Sequence, residues 1–145
     1  MSNKAVWADF VALDPETQVQ RALSVMSKVV DEAGRDHVYV KPDVLTGCRY
    51  VHGIGSSQQP GCLIGHVLHR LGLSLADLHA TDEGGPDGGE DAAITDYGSR
   101  LGLHPVTVDV LAEAQGVQDD GTPWGGAYDD ALARLARLTG MAVTS

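Results

Sequence analysis

Apolar side chains recur at steps of three and four residues between Pro15 and Ala33, and this spacing limits the fold more than any other feature of the chain. The recurring set is Val19, Ala22, Leu23, Met26, Val29, Val30 and Ala33. Because an α-helix turns once in about 3.6 residues, the set forms one apolar face. Asp14 supplies an N-cap carboxylate before Pro15, and Gly34 is placed as a left-handed C-cap. The sequence therefore predicts a long amphipathic helix.

Start and stop signals predict two helices near the middle of the chain. One runs from about Gly61 to Leu71 and is closed by Gly72. Ser74 caps a shorter one, with Asp77 placed as in a capping box. The apolar face of the first helix consists of Leu63, Ile64, Val67, Leu68 and Leu71.

Three more helices are predicted towards the C-terminal end. The first spans about Ala92 to Leu101. The second is opened by His104-Pro105, and Thr122-Pro123 opens the third with an N-cap followed by proline. The inward residues of the second are predicted to be Val106, Val110, Leu111, Ala114 and Val117. Those of the third are Trp124, Ala127, Ala131, Leu135 and Leu138.

Two short runs favour β-structure, Val38-Tyr39-Val40 and Arg49-Tyr50-Val51. The loop between them contains Pro42 and Gly47, so the simplest prediction is a small hairpin within His37–Val51. The predicted fold class is therefore mainly α, an α-dominated α+β fold. We expect one globular domain over 1–145, a compact bundle of about five helices with one small β-hairpin. A flexible, acidic and glycine-rich loop is predicted at 81–91.

Charge limits the classes of partner. The 145 residues include 20 acidic and 10 basic ones, a net charge of −10. Such a chain does not gain the counterion-release energy of phosphate-backbone binding, so we expect no nucleic-acid partner. Adsorption to an anionic membrane is disfavoured for the same reason, and no apolar run is long enough to span one. Without a signal-peptide pattern at Met1–Phe10, the sequence predicts a cytoplasmic protein whose two cysteines are reduced.

The segment 48–69 contains both cysteines and a Cys-x-x-x-His spacing that occurs twice. On the predicted helix, Cys62, His66 and His69 fall on one stripe away from the apolar face. Cysteine and histidine ligate soft metals and react as nucleophiles near neutral pH. Any chemistry of this chain is therefore expected in this segment.

Three hypotheses account for the stripe. In the first, Cys62 and His66 share a zinc ion one helical turn apart, with further ligands among Cys48, His69 and His52. Cys48 and His52 do not bind one ion together if both lie on an extended strand, because four strand residues span about 13 Å.

In the second hypothesis Cys62 is a catalytic nucleophile with His66 as its base. Pro60-Gly61 places the thiol at a helix start, where the dipole lowers a thiol pKa. No third orienting group and no family signature accompany the pair.

The third hypothesis, which the sequence favours, is that Cys62 and His66 only pack. Cysteine is among the most buried residue types, and Gly65 indicates close approach of a neighbouring element. An interaction surface in this segment would use Tyr50, His52, His66 and His69. We expect no cofactor, with zinc as the alternative.

Two blocks of sequence carry a resemblance. The first joins Cys48-Arg49-Tyr50-Val51 to PGCLIGHVL at 60–68, and the second is AQGVQDDGTPWG at 114–125. On these blocks the chain resembles a group of small uncharacterised proteins of actinobacteria and their phages. The resemblance implies an origin and brings no activity with it.

We therefore predict a small cytoplasmic accessory or interaction protein, phage-encoded, that binds a protein partner such as a host protein without catalysis. A homodimer is a further expectation, because helical domains of this size often bury a remaining apolar stripe against a second copy. The alternatives are a zinc-binding protein that uses segment 48–69 and a Cys62-dependent enzyme.

Overall fold

Helices make up most of the part of the chain that the computed structural model describes, which is residues 3–39, 51–52, 59–78, 94 and 98–140. The helices with defined bounds are α1 (Asn3–Val11), α2 (Pro15–Ala33), α3 (Leu63–Arg70), α4 (Pro105–Asp119) and α5 (Trp124–Thr139). A short helical segment follows α3 at 75–78. The prediction of a mainly helical fold is confirmed.

The α2 helix has the predicted bounds and the predicted N-cap. The Asp14 carboxylate accepts a hydrogen bond from the backbone N–H of Thr17 at 3.2 Å. At the other end Gly34 has a φ of +99°, which favours glycine, but its ψ of 136° lies outside the left-handed helical region that we predicted. The buried face matches the predicted set except for Ala33, which is exposed, and it also includes Gln18.

The predicted pairing of Val38–Val40 with Arg49–Val51 is not supported. Val38 and Tyr39 lie in no strand, and Val51–His52 pairs instead with Gln59–Pro60 in an antiparallel ladder of two residues each. The backbone just before Val38 is hydrogen-bonded to another element. The carbonyls of Arg35 and His37 accept hydrogen bonds from the first amides of α5. Backbone groups used at a helix start are not open to a sheet.

Helices α4 and α5 pack against each other more extensively than any other described pair. A short loop joins them, so they form an antiparallel helical hairpin. Helix α5 begins at Trp124 with Pro123 as its N-cap, so the predicted capping by Thr122 is wrong. Four of the five predicted inward residues of α5 are buried, but Leu138 is 43% exposed because it lies in the last turn, at the end of the core.

The α4 helix begins at Pro105, as predicted, and its inward positions are only partly buried. Val110, Leu111 and Ala114 are buried, whereas Val106 and Val117 are half-buried. The described helices share one hydrophobic core, and α2 contacts α3, α4 and α5. None of the described helices is long and apolar enough to cross a membrane.

Three buried glutamines connect elements that lie far apart in sequence. Gln18 on α2 accepts a hydrogen bond from the His104 amide at 2.8 Å. On α4, Gln115 accepts one from Ile94 and Gln118 one from Leu63, each at 2.9 Å. These side chains satisfy amides that would otherwise be buried without a partner.

Some sequence predictions fall outside the described residues. They are the acidic loop 81–91, the first strand of the hairpin beyond Tyr39, and most of the helix at 92–101. Of that helix Ile94 is helical, but Gly98 to Leu101 form hydrogen-bonded turns, so the helix does not continue to Leu101 as predicted. The short helix after α3 is capped as predicted, because the Ser74 hydroxyl accepts from the Asp77 amide at 3.0 Å.

Candidate functional site

Cys62 lies at the N-cap of α3, is completely buried and is disulfide-bonded. We expected a reduced thiol on a helical stripe away from the apolar face. In this structure the sulfur is in a disulfide and the residue precedes the helix, and its burial is what the packing hypothesis expects. The backbone of Cys62 is extended, so the residue precedes the first helical residue, and it belongs to the hydrophobic core. The other cysteine of the chain, Cys48, lies outside the described residues, as does Tyr50.

Because the Cys62 sulfur is in a disulfide, it offers no thiolate for a metal or for a substrate. The zinc and nucleophile hypotheses therefore apply only to a reduced form of the protein. Among the described residues, no three histidine, cysteine, aspartate or glutamate side chains come close enough to bind one metal ion.

His66 packs against the indole of Trp124. The two ring centroids are 5.5 Å apart at an interplanar angle of 64°. His37, which follows α2, contacts the same indole with its centroid at 4.4 Å and 66°. Both contacts are edge-to-face, an arrangement that aromatic quadrupoles favour. The indole is buried, and its Nε1–H has no hydrogen-bond partner among the residues that the structure describes.

His69 has a different environment from His66. Its Nδ1 lies 3.0 Å from the carbonyl oxygen of Leu73, and Nδ1 must carry the proton because a carbonyl only accepts. The Gly72 amide donates to the His69 carbonyl at 3.0 Å and closes the end of α3. His69 therefore fixes the turn after α3. For the last candidate, His52, the structure describes only its backbone pairing with Gln59.

An ion pair next to His66 ties α2 to α3. Arg70 donates two hydrogen bonds to the Glu32 carboxylate, each at 2.6 Å. These bonds lower the pKa of Glu32, and the charge of His66 lowers it further. The same hydrogen bonding raises the pKa of Arg70. Both groups are at the surface, so the pair orients the helices more than it stabilises them.

A shallow groove of about 590 Å³ lies on the surface of the α4–α5 hairpin. We call it the α4–α5 groove; its lining residues are Asp109, Ala112, Glu113, Gly116, Val117, Asp120 and Arg134. Gly116 is exposed in the interior of α4, and a Cβ added there would meet nothing within 4 Å. Glycine costs about 1 kcal/mol relative to alanine inside a helix. Close packing against the described part of the chain therefore does not account for Gly116.

The groove is acidic. Asp109 is paired with Arg134, whose Nε and one terminal nitrogen donate to the two carboxylate oxygens at 3.0 and 3.2 Å. Glu113 lies 3.6 Å from Arg137 in a looser pair. Asp120 forms no ion pair within the described residues and is exposed. The end of the groove towards Asp120 is therefore its negative end.

Sequence reasoning did not predict this groove. The signal was present in Gly116, a glycine inside an otherwise regular helical pattern, which calls for a packing or functional reason. The acidic residues of α4 follow no motif. No protein-family model, curated protein or solved structure matches this chain.

Proposed function

We propose that this protein is a binding module that holds a protein partner in the α4–α5 groove and carries out no catalysis. One observation carries the proposal: Gly116 leaves an open concavity in the middle of a well-formed helix, and no residue that the structure describes fills it. Concave surfaces with an apolar floor and a polar rim are where proteins receive partners. Among the residues that line the groove, we call the small and apolar ones, Ala112, Gly116 and Val117, its floor, and the acidic ones, Asp109, Glu113 and Asp120, its rim.

The environment of the Cys62 segment supports the same reading. Cys62 is buried in a disulfide, His66 packs on an indole, and His69 bonds a backbone carbonyl. Each of these groups has a packing or turn-forming contact. Zinc binding through Cys48, Cys62, His66 and His69 remains an alternative for the reduced protein, as does Cys62-dependent catalysis.

The origin and location of the protein are part of the proposal. The resemblance to small proteins of actinobacteria and their phages makes a host protein the first class of partner to test. A disulfide is typical of oxidising compartments or of redox-sensitive sites, so it weighs against our expectation of an ordinary reduced cytoplasmic protein. A homodimer is a separate prediction, which light scattering tests against the mass of one chain.

Affinity capture with a filled groove tests the proposal. Wild-type protein, Gly116→Leu and the control Gln20→Leu, which adds the same side chain on an exposed part of α2, are used as baits in an actinobacterial lysate. All three should be equally helical by circular dichroism, because neither position is packed. We expect one protein to be retained by wild type and Gln20→Leu and lost with Gly116→Leu. Equal retention by all three baits would overturn the proposal.

A further inference from the structure

The charge of the α4–α5 groove indicates what kind of segment it receives. Three carboxylates and one guanidinium line it, and that guanidinium, on Arg134, is already paired with Asp109. Glu113 is loosely paired with Arg137 at 3.6 Å, so Asp120 is the lining carboxylate that has no ion pair among the described residues. Resting on the proposed function, we infer that the groove binds a basic helical segment of the partner protein, with an arginine or lysine of that segment at Asp120 and next to the Glu113–Arg137 pair. Charge complementarity of this kind sets specificity and the rate of association.

The shape of the floor favours a helix. Ala112 and Gly116 lie four residues apart and therefore on the same face of α4. Small side chains at this spacing allow a second helix to approach closely. From Asp109 to Asp120 the groove follows α4 for about 16 Å, at a rise of about 1.5 Å per residue. Roughly three turns of a partner helix span that distance.

A second copy of this chain fits the groove poorly. The chain has a net charge of −10, and a two-fold contact at this face would place two acidic surfaces opposite each other. Like charges placed opposite each other are destabilising. Nucleic acid is disfavoured at the same surface for the same reason. A cationic protein segment would instead neutralise the negative charge of the groove.

Binding of two synthetic peptides tests the inference. Both are capped alanine-based helices of equal length, one with arginines at i and i+4 and the other with glutamates at those positions. Titration calorimetry at low salt should detect binding of the arginine peptide and none of the glutamate peptide. Amide shifts in a ¹⁵N spectrum should be concentrated in 109–120 and around Arg134. If the arginine peptide does not bind, or if the glutamate peptide binds equally, the inference is wrong.

Charge reversal distinguishes the effect of the groove carboxylates on peptide affinity from the effect of the net charge of the protein. Glu113→Lys/Asp120→Lys should raise the Kd of the arginine peptide by about tenfold. The control Asp31→Lys/Asp130→Lys makes the same change in net charge at exposed positions outside the groove and should raise it by less than about threefold. Equal weakening by both double variants would contradict a site at the groove. If Gly116→Leu abolishes capture of the natural partner but charge reversal does not affect it, the groove function stands and the basic segment is ruled out.

Discussion

The side-chain carbonyl of Gln118 accepts a hydrogen bond from the backbone amide of Leu63 at 2.9 Å, so a residue of α4 caps the first turn of α3. The N-cap residue itself, Cys62, makes no side-chain hydrogen bond to the helix. Gln118 is 1% exposed and also donates from its amide nitrogen to Asp119 at 2.8 Å. A long-range contact thus replaces the local cap that most helices obtain from their own sequence.

Replacing Gln118 should destabilise the protein strongly. Gln118→Leu keeps most of the side-chain volume but leaves the buried Leu63 amide without an acceptor, so we expect the free energy of unfolding to fall by about 1–3 kcal/mol. Urea denaturation measures the change. Gln20→Leu on the exposed side of α2 is the control and should change stability by less than about 0.5 kcal/mol. Equal stability of the two variants would show that the Gln118 bond is dispensable.

Alanine substitutions at two glycines should change the free energy of unfolding in opposite directions. Gly116→Ala should raise the free energy of unfolding by about 0.5–1 kcal/mol, because the new Cβ meets nothing and the helix gains propensity. A Cβ on Gly125 would lie 2.7 Å from Arg35 Cβ and 2.9 Å from the Arg35 carbonyl oxygen, so Gly125→Ala should lower it. Thermal unfolding of both variants checks the signs. A loss of stability in Gly116→Ala would mean that the groove is packed in solution.

The Glu32–Arg70 pair should make a pH-dependent contribution to stability. The pKa of Glu32 is below its ordinary value, chiefly because Arg70 hydrogen-bonds its carboxylate. A lowered folded-state pKa gives stability that is present above the unfolded-state pKa, about 4.3, and is lost as pH falls through the folded-state value. Arg70→Met should raise the pKa of Glu32 in an NMR titration. The stability difference between Arg70→Met and wild type should be present at pH 7 and decline as pH falls below about 4. A difference that does not change with pH would show that Arg70 acts through packing.

Reduction should destabilise the protein through Cys62. Denatured, unreduced protein should show no free thiol, and reductant should lower the free energy of unfolding by about 2–4 kcal/mol, a typical contribution of a disulfide. Cys62→Ala is the control, because its stability should not respond to reductant. Two free thiols in the unreduced protein would contradict the disulfide. A melting temperature of the reduced protein that rises with added zinc would support the zinc hypothesis instead.

Helix positions were predictable from local signals because those signals act within a few residues. Helix α2 begins after Asp14 and α4 begins at Pro105. Both starts follow from capping residues and apolar periodicity that can be read directly from the sequence. Helix α1 was not predicted. Its one strong feature is the packing of Trp7 and Phe10, whose ring centroids are 5.5 Å apart. Ser2 is an N-cap residue type, but the nine-residue segment after it has no clear apolar stripe.

Contacts between distant segments were not predictable in the same way. The hairpin was assigned to Val38-Tyr39 from β-propensity, yet the chain there is held by α5, through the bond from the Trp124 amide to the His37 carbonyl. The Cys62 stripe was derived from helical angles, although Cys62 lies before the helix begins. The α4–α5 groove is formed by residues of two helices, so its prediction requires knowing how the helices pack. Gly116 was the one local signal for it in the sequence.

Photo-cross-linking from the groove tests the central claim most directly. A benzophenone amino acid replaces Arg137, an exposed residue 3.6 Å from Glu113 at the edge of the groove, in one protein, and Gln20, on the exposed side of α2, in the other. After irradiation in an actinobacterial lysate, we expect a single covalent adduct of a partner protein from position 137 and none from position 20. Adducts of equal yield and mass from both positions, adducts from position 20 alone, or no adduct from either would contradict partner binding in the α4–α5 groove.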